Sequence, residues 1–284
     1  MAFKVWNDFL NIALPKIFLI TNSSTFSQTP SSTMTAGAFE IVFAVPMECN
    51  ACVESITNVL KPLQGIDKFD INLKSNLVTT EGSLPPSEIV KAIQSTGRDA
   101  IIRGTGKPNS AAVCILESFD PKDRFKPVKG LARIVQVSPQ NVFVDLTVNG
   151  LPKGTYYPSI RATGNLSEGA LSTGKLFYPL DPIYVNEPSN ASTTINSLGA
   201  STTEDSPKQL YAGQSFLYAK LTPNEIIGRS IILSRLQDEV TKDSLVGVIA
   251  RSAGAWENDK QVCSCSGKTV WQERTDAKAH GVAV

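Results

Sequence analysis

The chain has 284 residues, 42% hydrophobic and 19% charged, with 27 basic against 26 acidic side chains and a formal net charge of +1. So even a balance leaves no electrostatic footprint for nucleic acid, which needs a clustered basic face. The single histidine, His280, sits close to the C-terminal Val284, which nearly excludes a histidine base, a Ser-His-Asp triad or a histidine-rich metal site.

Residues 1–37 carry only Lys4, Asp8 and Lys16 as charges and then run into Ser and Thr. Their apolar part is broken by Pro15 and Lys16 and falls short of the roughly 20 residues of a membrane span, so no stable membrane insertion is expected. The segment lacks both a small-residue cleavage site and an Arg-rich composition. It reads as a disordered or targeting extension, with Met34 as an alternative working start.

From residue 38 to 107 the apolar pattern switches between period two and helical period. Phe39, Ile41, Phe43 and Val45 alternate as a strand that stops at Pro46 and Met47. Val53, Ile56, Val59, Leu60 and Leu63 share one helical face, closed by Gly65. Phe69, Ile71 and Leu73 alternate, Lys74 to Asn76 turn the chain, and 77–80 return as the second strand of a hairpin. Pro85 and Pro86 open a helix with Ile89, Ala92 and Ile93 inward, ended by Gly97, and 100–103 supply a last strand. The order βαββαβ is a ferredoxin-like plan.

Residues 104–110 read as a linker. Beyond it, short β-rich runs at 112–116, 131–137, 142–148, 216–221 and 230–233 predict a Greek-key β-barrel or sandwich over 108–250. The stretch 186–208, rich in Ser, Thr and Asn, predicts a long mobile loop, and its sequon at Asn190 reads as accidental. Residues 251–284 have too little apolar content for their own core and read as a mostly irregular tail, with a short helix at 270–279 left open. The expected class is multidomain, α+β followed by all-β.

Five cysteines, an odd number, argue against a secreted disulfide framework and for a cytoplasmic, reducing location. Cys49 and Cys52 fall between the first strand and first helix, where unpaired N–H groups favour thiolates. Two soft thiolates without nearby His or clustered carboxylates select Cu(I) and leave the ion open to attack by a third thiolate. A thioredoxin-type redox pair also occupies a strand-to-helix junction, but the neighbours are not Trp-Cys-Gly-Pro-Cys and the element order is wrong; two buried cysteines without chemistry are the remaining alternative. Met47 is expected as a core anchor of the loop. Cys263 and Cys265 lie in a polar tail, too close in sequence to close a relaxed disulfide. Trp256 and Trp271 flank them and are expected to dock the tail on a surface.

Met47-x-Cys49-x-x-Cys52 in this plan resembles the heavy-metal-associated domain of copper chaperones and copper-pumping ATPases. Adding Gly-Leu-Ala-Arg at 130–133, Ile-Ile-Gly-Arg at 226–229, Gly-Val-Ile-Ala-Arg-Ser-Ala-Gly at 247–254 and the Cys-Ser-Cys run, the chain resembles the fungal copper chaperones for superoxide dismutase from Phe39 to Asp276. The resemblance implies Cu(I) carried by Cys49 and Cys52, with Cys263 and Cys265 binding it in transfer and exchanging disulfides with the client. It implies a Cu,Zn superoxide dismutase as heterodimer partner, met through Gly164, Ile226, Ile227, Gly228, Arg229, Val248, Ile249 and Ala250, with a homodimer through the same face as the second arrangement.

Against the dismutase pattern, Ser159 and Arg161 stand at two copper-histidine positions, Leu176 at the bridging histidine, Ser234 at the last copper histidine, and Ala170 and Val246 at the disulfide. Neither dismutase activity nor a zinc site is therefore expected in this domain. Cys114 matches a buried, unpaired cysteine of the enzyme's first strand. The rivals are a thiol-disulfide oxidoreductase acting on a protein client and a dismutase-like enzyme with an appended copper domain, the latter disfavoured by the single histidine. The mitochondrial intermembrane space is a second expected location.

Overall fold

The computed structural model describes residues 37–189, 209–237, 239–258 and 267–279. Its first part runs β1 (Phe39–Ala44), α1 (Asn50–Leu60), β2 (Ile66–Asn72), β3 (Leu77–Gly82), α2 (Pro86–Gln94) and β4 (Ile101–Thr105). The four strands form an antiparallel sheet in the order β2-β3-β1-β4. Ile56 and Leu60 of α1 and Ile89, Val90 and Ile93 of α2 cover this sheet, meeting Phe43 and Val45 in one core. The helical spacing of those residues puts them all on the inward face, and Pro86 opens α2 where its missing N–H costs nothing.

Among the described residues the second part is β apart from one short α-helix and two 3-10 turns, at Pro121–Asp123 and Gly169–Ser172: β5 (Ala111–Glu117), β6 (Val128–Ser138), β7 (Asn141–Leu151), β8 (Gly154–Arg161), β9 (Leu176–Pro179), β10 (Ile183–Val185), β11 (Glu187–Pro188), β12 (Tyr211–Ala219), α3 (Pro223–Ile226), β13 (Ser230–Ser234) and β14 (Leu245–Arg251). The sheet order is β10-β8-β13-β14-β5-β6-β7-β12-β11, with β9 on β8. Because β10 and β11 are successive pieces of one stretch, joined by the Asn186 N–H to Ala212 carbonyl bond (3.2 Å), the sheet closes on itself as a barrel. Period-two alternation sends Cys114, Leu116, Ile134, Val144, Leu146 and Ile160 into its core.

Residues 104–110 do not behave as a loose linker. Phe143 and Val135 of the barrel belong to the same apolar cluster as Phe39 of β1, and the Phe143 ring lies 6.2 Å from Phe39 and 5.3 Å from Tyr218. The fully buried Asp145 carboxylate accepts the Ser87 N–H at the start of α2, 2.8 Å away. The two parts share a dry seam.

The segment after β14 is more ordered than an irregular tail. It turns back along β4, the edge strand of the first sheet, with Thr105 N–H donating to Ala253 carbonyl and Ala255 N–H to Gly106 carbonyl. Gly104 has no room for a side chain there, since a Cβ would sit 2.0 Å from the Gly254 carbonyl oxygen. Trp256 Nε1 donates to Glu40 (2.8 Å) and the Arg103 guanidinium to the Asn258 carbonyl (2.6 Å). A last helix, α4 (Val270–Ala279), docks through Arg274 and Lys278 on Asp99. The sequence left this helix open because its charged residues give it little amphipathic contrast. Among the described residues no helix is long and apolar enough to cross a membrane.

Phe143→Ala should lower global stability by about 3–5 kcal/mol, the usual cost of deleting a buried aromatic ring. Urea unfolding checks this, and the variant should separate the first part's transition from the barrel's.

Candidate metal centre

The loop carrying the first cysteine pair is held by the turn opposite it. Asn76 adopts a left-handed φ of 57°, a conformation its short side chain tolerates. Its backbone carbonyl accepts the Val45 N–H and its Oδ1 accepts the Met47 N–H, both at 2.9 Å. Met47 itself is buried in the first core, the anchoring role expected of it. The chain then leaves β1 in a fixed direction and enters α1 with Cys49 as the N-cap, in extended conformation.

Cys49 makes no side-chain cap, so its sulfur is not engaged with the helix amides. The Cys52 N–H closes back on the Cys49 carbonyl at 3.0 Å, which brings the two Sγ atoms to 3.8 Å. Metal–thiolate bonds of about 2.3 Å, the zinc value, reach across a gap of that size from a single ion. Cys49 is exposed, whereas Cys52 is buried at the loop floor. Among the described residues no group of three or more His, Cys, Asp or Glu side chains gathers here or elsewhere. The donor set is two sulfurs, one of them open to solvent.

Cys52 is held as a thiolate at neutral pH, its pKa lowered to about 6 by the Glu48 backbone N–H, the Arg98 guanidinium and the Cys49 backbone. Arg98 is a functional residue the sequence reading missed. It follows Gly97, which closes α2 at φ +80°, and it precedes β4, whose first residue Ile101 lies opposite Ala44 at the end of β1. A cation at the entry to the strand beside the cysteine loop was the available signal. The next residue, Asp99, carries α4. Burial raises its pKa, but Lys278 and Arg274 outweigh that and hold it below the usual value.

Cys263 and Cys265 lie outside the described residues. Their described flanks are fixed on the first part, at Asn258 through Arg103 and at α4 through Asp99. Cys114 is wholly buried in the barrel, and burial pushes its thiol up to about 12. Such a group is chemically silent.

On the barrel, three of the expected contact segments converge. A Cβ on Gly164 would lie 2.6 Å from the Gly228 carbonyl oxygen and 3.1 Å from Val248 Cγ1. The Gly228 N–H donates to the Ile249 carbonyl (2.9 Å), and the Ile249 N–H returns to the Arg229 carbonyl (2.8 Å). Arg229 stacks 3.7 Å over the Phe177 ring and donates to the Ala162 carbonyl. Val248 and Ala250 are exposed and Ile227 is half-buried. Two expected contact residues need correction: Ile226 and Ile249 are buried in the barrel core. Alternation along β14 turns Val248 and Ala250 outward and Ile249 inward, and Ile226 faces inward from α3.

The residues at the dismutase metal positions supply no ligand cluster. Ser234 donates to the Glu239 carbonyl (2.6 Å), Arg161 donates to the Gly174 carbonyl (2.7 Å), and Leu176 lies half exposed opposite Arg161 in the β8–β9 register. Ser159, half-buried on β8, faces Ile232 and Pro179 across its two neighbours. Ala170 and Val246 pack with Ile232 in a small dry cluster.

The heavy-metal-associated domain family model matches residues 42–99. A superoxide dismutase 1 copper chaperone of Debaryomyces hansenii is 71% identical, covering 86% of this chain and 98% of that protein. One of the same name from Saccharomyces cerevisiae is 42% identical over 87% of this chain and 99% of its own. A copper chaperone for superoxide dismutase from Mus musculus is 30% identical, covering 82% and 88% respectively.

In reduced, metal-free protein, Cys52 alkylation should rise with pH through a half-point near 6, because only the thiolate attacks. Arg98→Ala removes a lowering cause and should move that half-point upward, while Cys114 stays unmodified at pH 8. Site-resolved mass spectrometry after timed iodoacetamide treatment checks all three.

Proposed function

The chain belongs to the family of copper chaperones for superoxide dismutase, and we propose that Cys49 and Cys52 load Cu(I) and release it to a Cu,Zn superoxide dismutase held on the barrel face around Ile227, Gly228 and Val248. The observation that carries this reading is the 3.8 Å thiol pair with one sulfur exposed, on a chain whose barrel, among the described residues, has no cluster of ligand side chains able to keep the ion. A soft, two-coordinate ion on an exposed loop is bound tightly yet can be drawn off by an entering thiolate, with no intermediate in which the metal is free. Cys52 as a thiolate lets the pair bind Cu(I) near neutral pH without first losing that proton. The protein is a metallochaperone and not a dismutase.

The barrel serves recognition. Gly164 and Gly228 leave the backbone bare at the centre of the face, so an opposing barrel can approach closely, while Val248 and Ile227 offer apolar contact and Arg229 is held rigid by Phe177 and two carbonyls. A heterodimer with the client through this face is the proposed arrangement, and a homodimer through it would be mutually exclusive with client binding. Ile227→Glu places a charge on the patch. Burying it unpaired costs several kcal/mol, so client association should weaken about 100-fold or more while Cu(I) binding is unchanged. Sedimentation with copper-free client, together with chelator competition for copper, measures both.

The tail completes delivery. We assign Cys263 and Cys265 to Cu(I) handover and to a transient mixed disulfide with the client. In that exchange the client's dithiol gives up two protons and two electrons, which dioxygen accepts, and the client keeps its intrasubunit disulfide. The chain has Ala170 and Val246 where that bond would lie, so it cannot be its own substrate. Cysteine usage supports a cytoplasmic location, with the mitochondrial intermembrane space as the second. Replacing Cys49 and Cys52 by Ser should abolish Cu(I) binding in the first part, measured against a competing chelator. Replacing Cys263 and Cys265 by Ser should leave heterodimerisation intact but stop client oxidation in air. Wild-type oxidation by that second variant would remove the tail from the mechanism.

A further inference from the structure

A partly open cavity of about 210 Å³ lies where the three parts of the chain meet, walled by β4, by β5 and β6, and by α4. It belongs to neither the thiol loop nor the barrel face. Ile101, Ala112, Leu131 and Val135 make most of its wall apolar, and two guanidinium groups, Arg133 and Arg274, are its charged members. For comparison, an apolar cavity of roughly 150 Å³ is large enough to take up benzene.

The cations here are not fully answered. Arg133 Nη1 is shielded from solvent and has no hydrogen-bond partner. Its cross-strand neighbour in the β6–β7 register is Asp145, whose Oδ2 is taken by the Ser87 N–H and whose Oδ1 also lacks a partner, so the two side chains do not close on each other. Arg274 reaches Asp99 only through Nε, at 3.4 Å, and shares that carboxylate with Lys278. Three cations, Arg133, Arg274 and Lys278, thus face two carboxylates, Asp99 and Asp145. The set is one negative charge short, and a buried guanidinium nitrogen without an acceptor is costly to keep.

We propose that this junction cavity binds a small aliphatic monocarboxylate, its carboxylate between Arg133 and Arg274 and its short tail against the Ile101, Leu131 and Val135 wall. The planar guanidinium fork matches a carboxylate. A single charge balances the set, whereas a phosphate dianion would overcompensate it and lose more solvation in an apolar chamber. Because Arg274 stands on α4 and Arg133 on the barrel, the bound acid bridges the tail helix to the barrel beside β4.

The test uses the full, reduced, metal-free chain without client, so its outcome is independent of copper delivery. Methyl-labelled protein is titrated with butyrate, and separately with butanol, chloride and inorganic phosphate at matched ionic strength, following Ile, Leu, Val and Ala methyl resonances. Butyrate should produce saturable shifts confined to Ile101, Ala112, Leu131 and Val135 and their neighbours, while the three comparators should not saturate there. Arg274→Gln, which keeps the length and polarity of this largely covered side chain, should weaken butyrate at least 10-fold. Arg133→Met leaves Asp145 as a lone buried charge, so it is paired with Asp145→Asn to keep the fold, and the double variant should show the same loss. Non-saturating shifts, saturation by butanol or chloride, tighter binding of phosphate, or wild-type affinity in either variant would overturn the proposal.

Discussion

The architecture rests on the seam where Phe143 leaves the barrel and enters the core of the preceding sheet. A β7 residue beneath Phe39 and beside Tyr218 and Phe216 means that the sheet carrying the cysteine loop cannot swing without opening an apolar interface. Asp145, two residues on and on the same face of β7, ties the start of α2 to the barrel through the Ser87 N–H. The loop between these parts spans only residues 106–110, with Gly106 and Ser110 buried at its ends, so the chain lacks the length to act as a flexible tether. The thiol pair on such a mount keeps one orientation relative to the Gly164–Gly228–Val248 surface. The cost of an approach geometry that would otherwise be lost entropy at each encounter is met in folding.

Electrostatics at the thiol loop follow from the same economy. α1 has no acidic residue in its first turn and no side-chain cap, and the backbone groups that favour the thiolate belong to Glu48 and Cys49 just before it. Cys52 is lowered to about 6 chiefly by backbone groups, with Arg98 second. The contrast with Cys114 is instructive: the same side chain, sealed inside a barrel without such donors, is pushed up to about 12. Reactivity in this protein is set by where the backbone points, and the sequence distance between the two cysteines is only the means of putting both at one helix end.

How much of this could be read in advance depended on whether the signal was periodic. The βαββαβ order, the cysteine pair at a helix start, and the inward faces led by Ile56 and Ile89 follow from local spacing, and all are present. The strands β5, β6, β7, β12 and β13 were visible as β-rich runs; β5, β6 and β7 extend further at both ends, β13 by one residue, and β12 starts five residues earlier and ends two earlier than expected. What failed were features that depend on a partner distant in sequence. Arg98 acts across a loop, Phe143 looks like an ordinary barrel residue until Phe39 arrives over it, and Ile226 and Ile249 could be assigned to an exposed face only by ignoring the alternation around them. The tail was read as irregular because its residues make their bonds to β4 and Asp99, which a compositional reading cannot see.

The positions that the dismutase resemblance assigns to metal ligands hold no ligand cluster among the described residues. Ser234 is bonded to the Glu239 carbonyl, Arg161 Nη2 to the Gly174 carbonyl while its buried Nε has no hydrogen-bond partner, and an aliphatic cluster of Ala170, Ile232 and Val246 fills the disulfide positions. None of these contacts reaches the Gly164–Gly228–Val248 surface, whose shape is fixed by backbone bonds between residues 228, 229 and 249. Main chain at Gly164 and Gly228 thus fixes much of that contour, and the exposed Val248 and half-buried Ile227 add its apolar side chains.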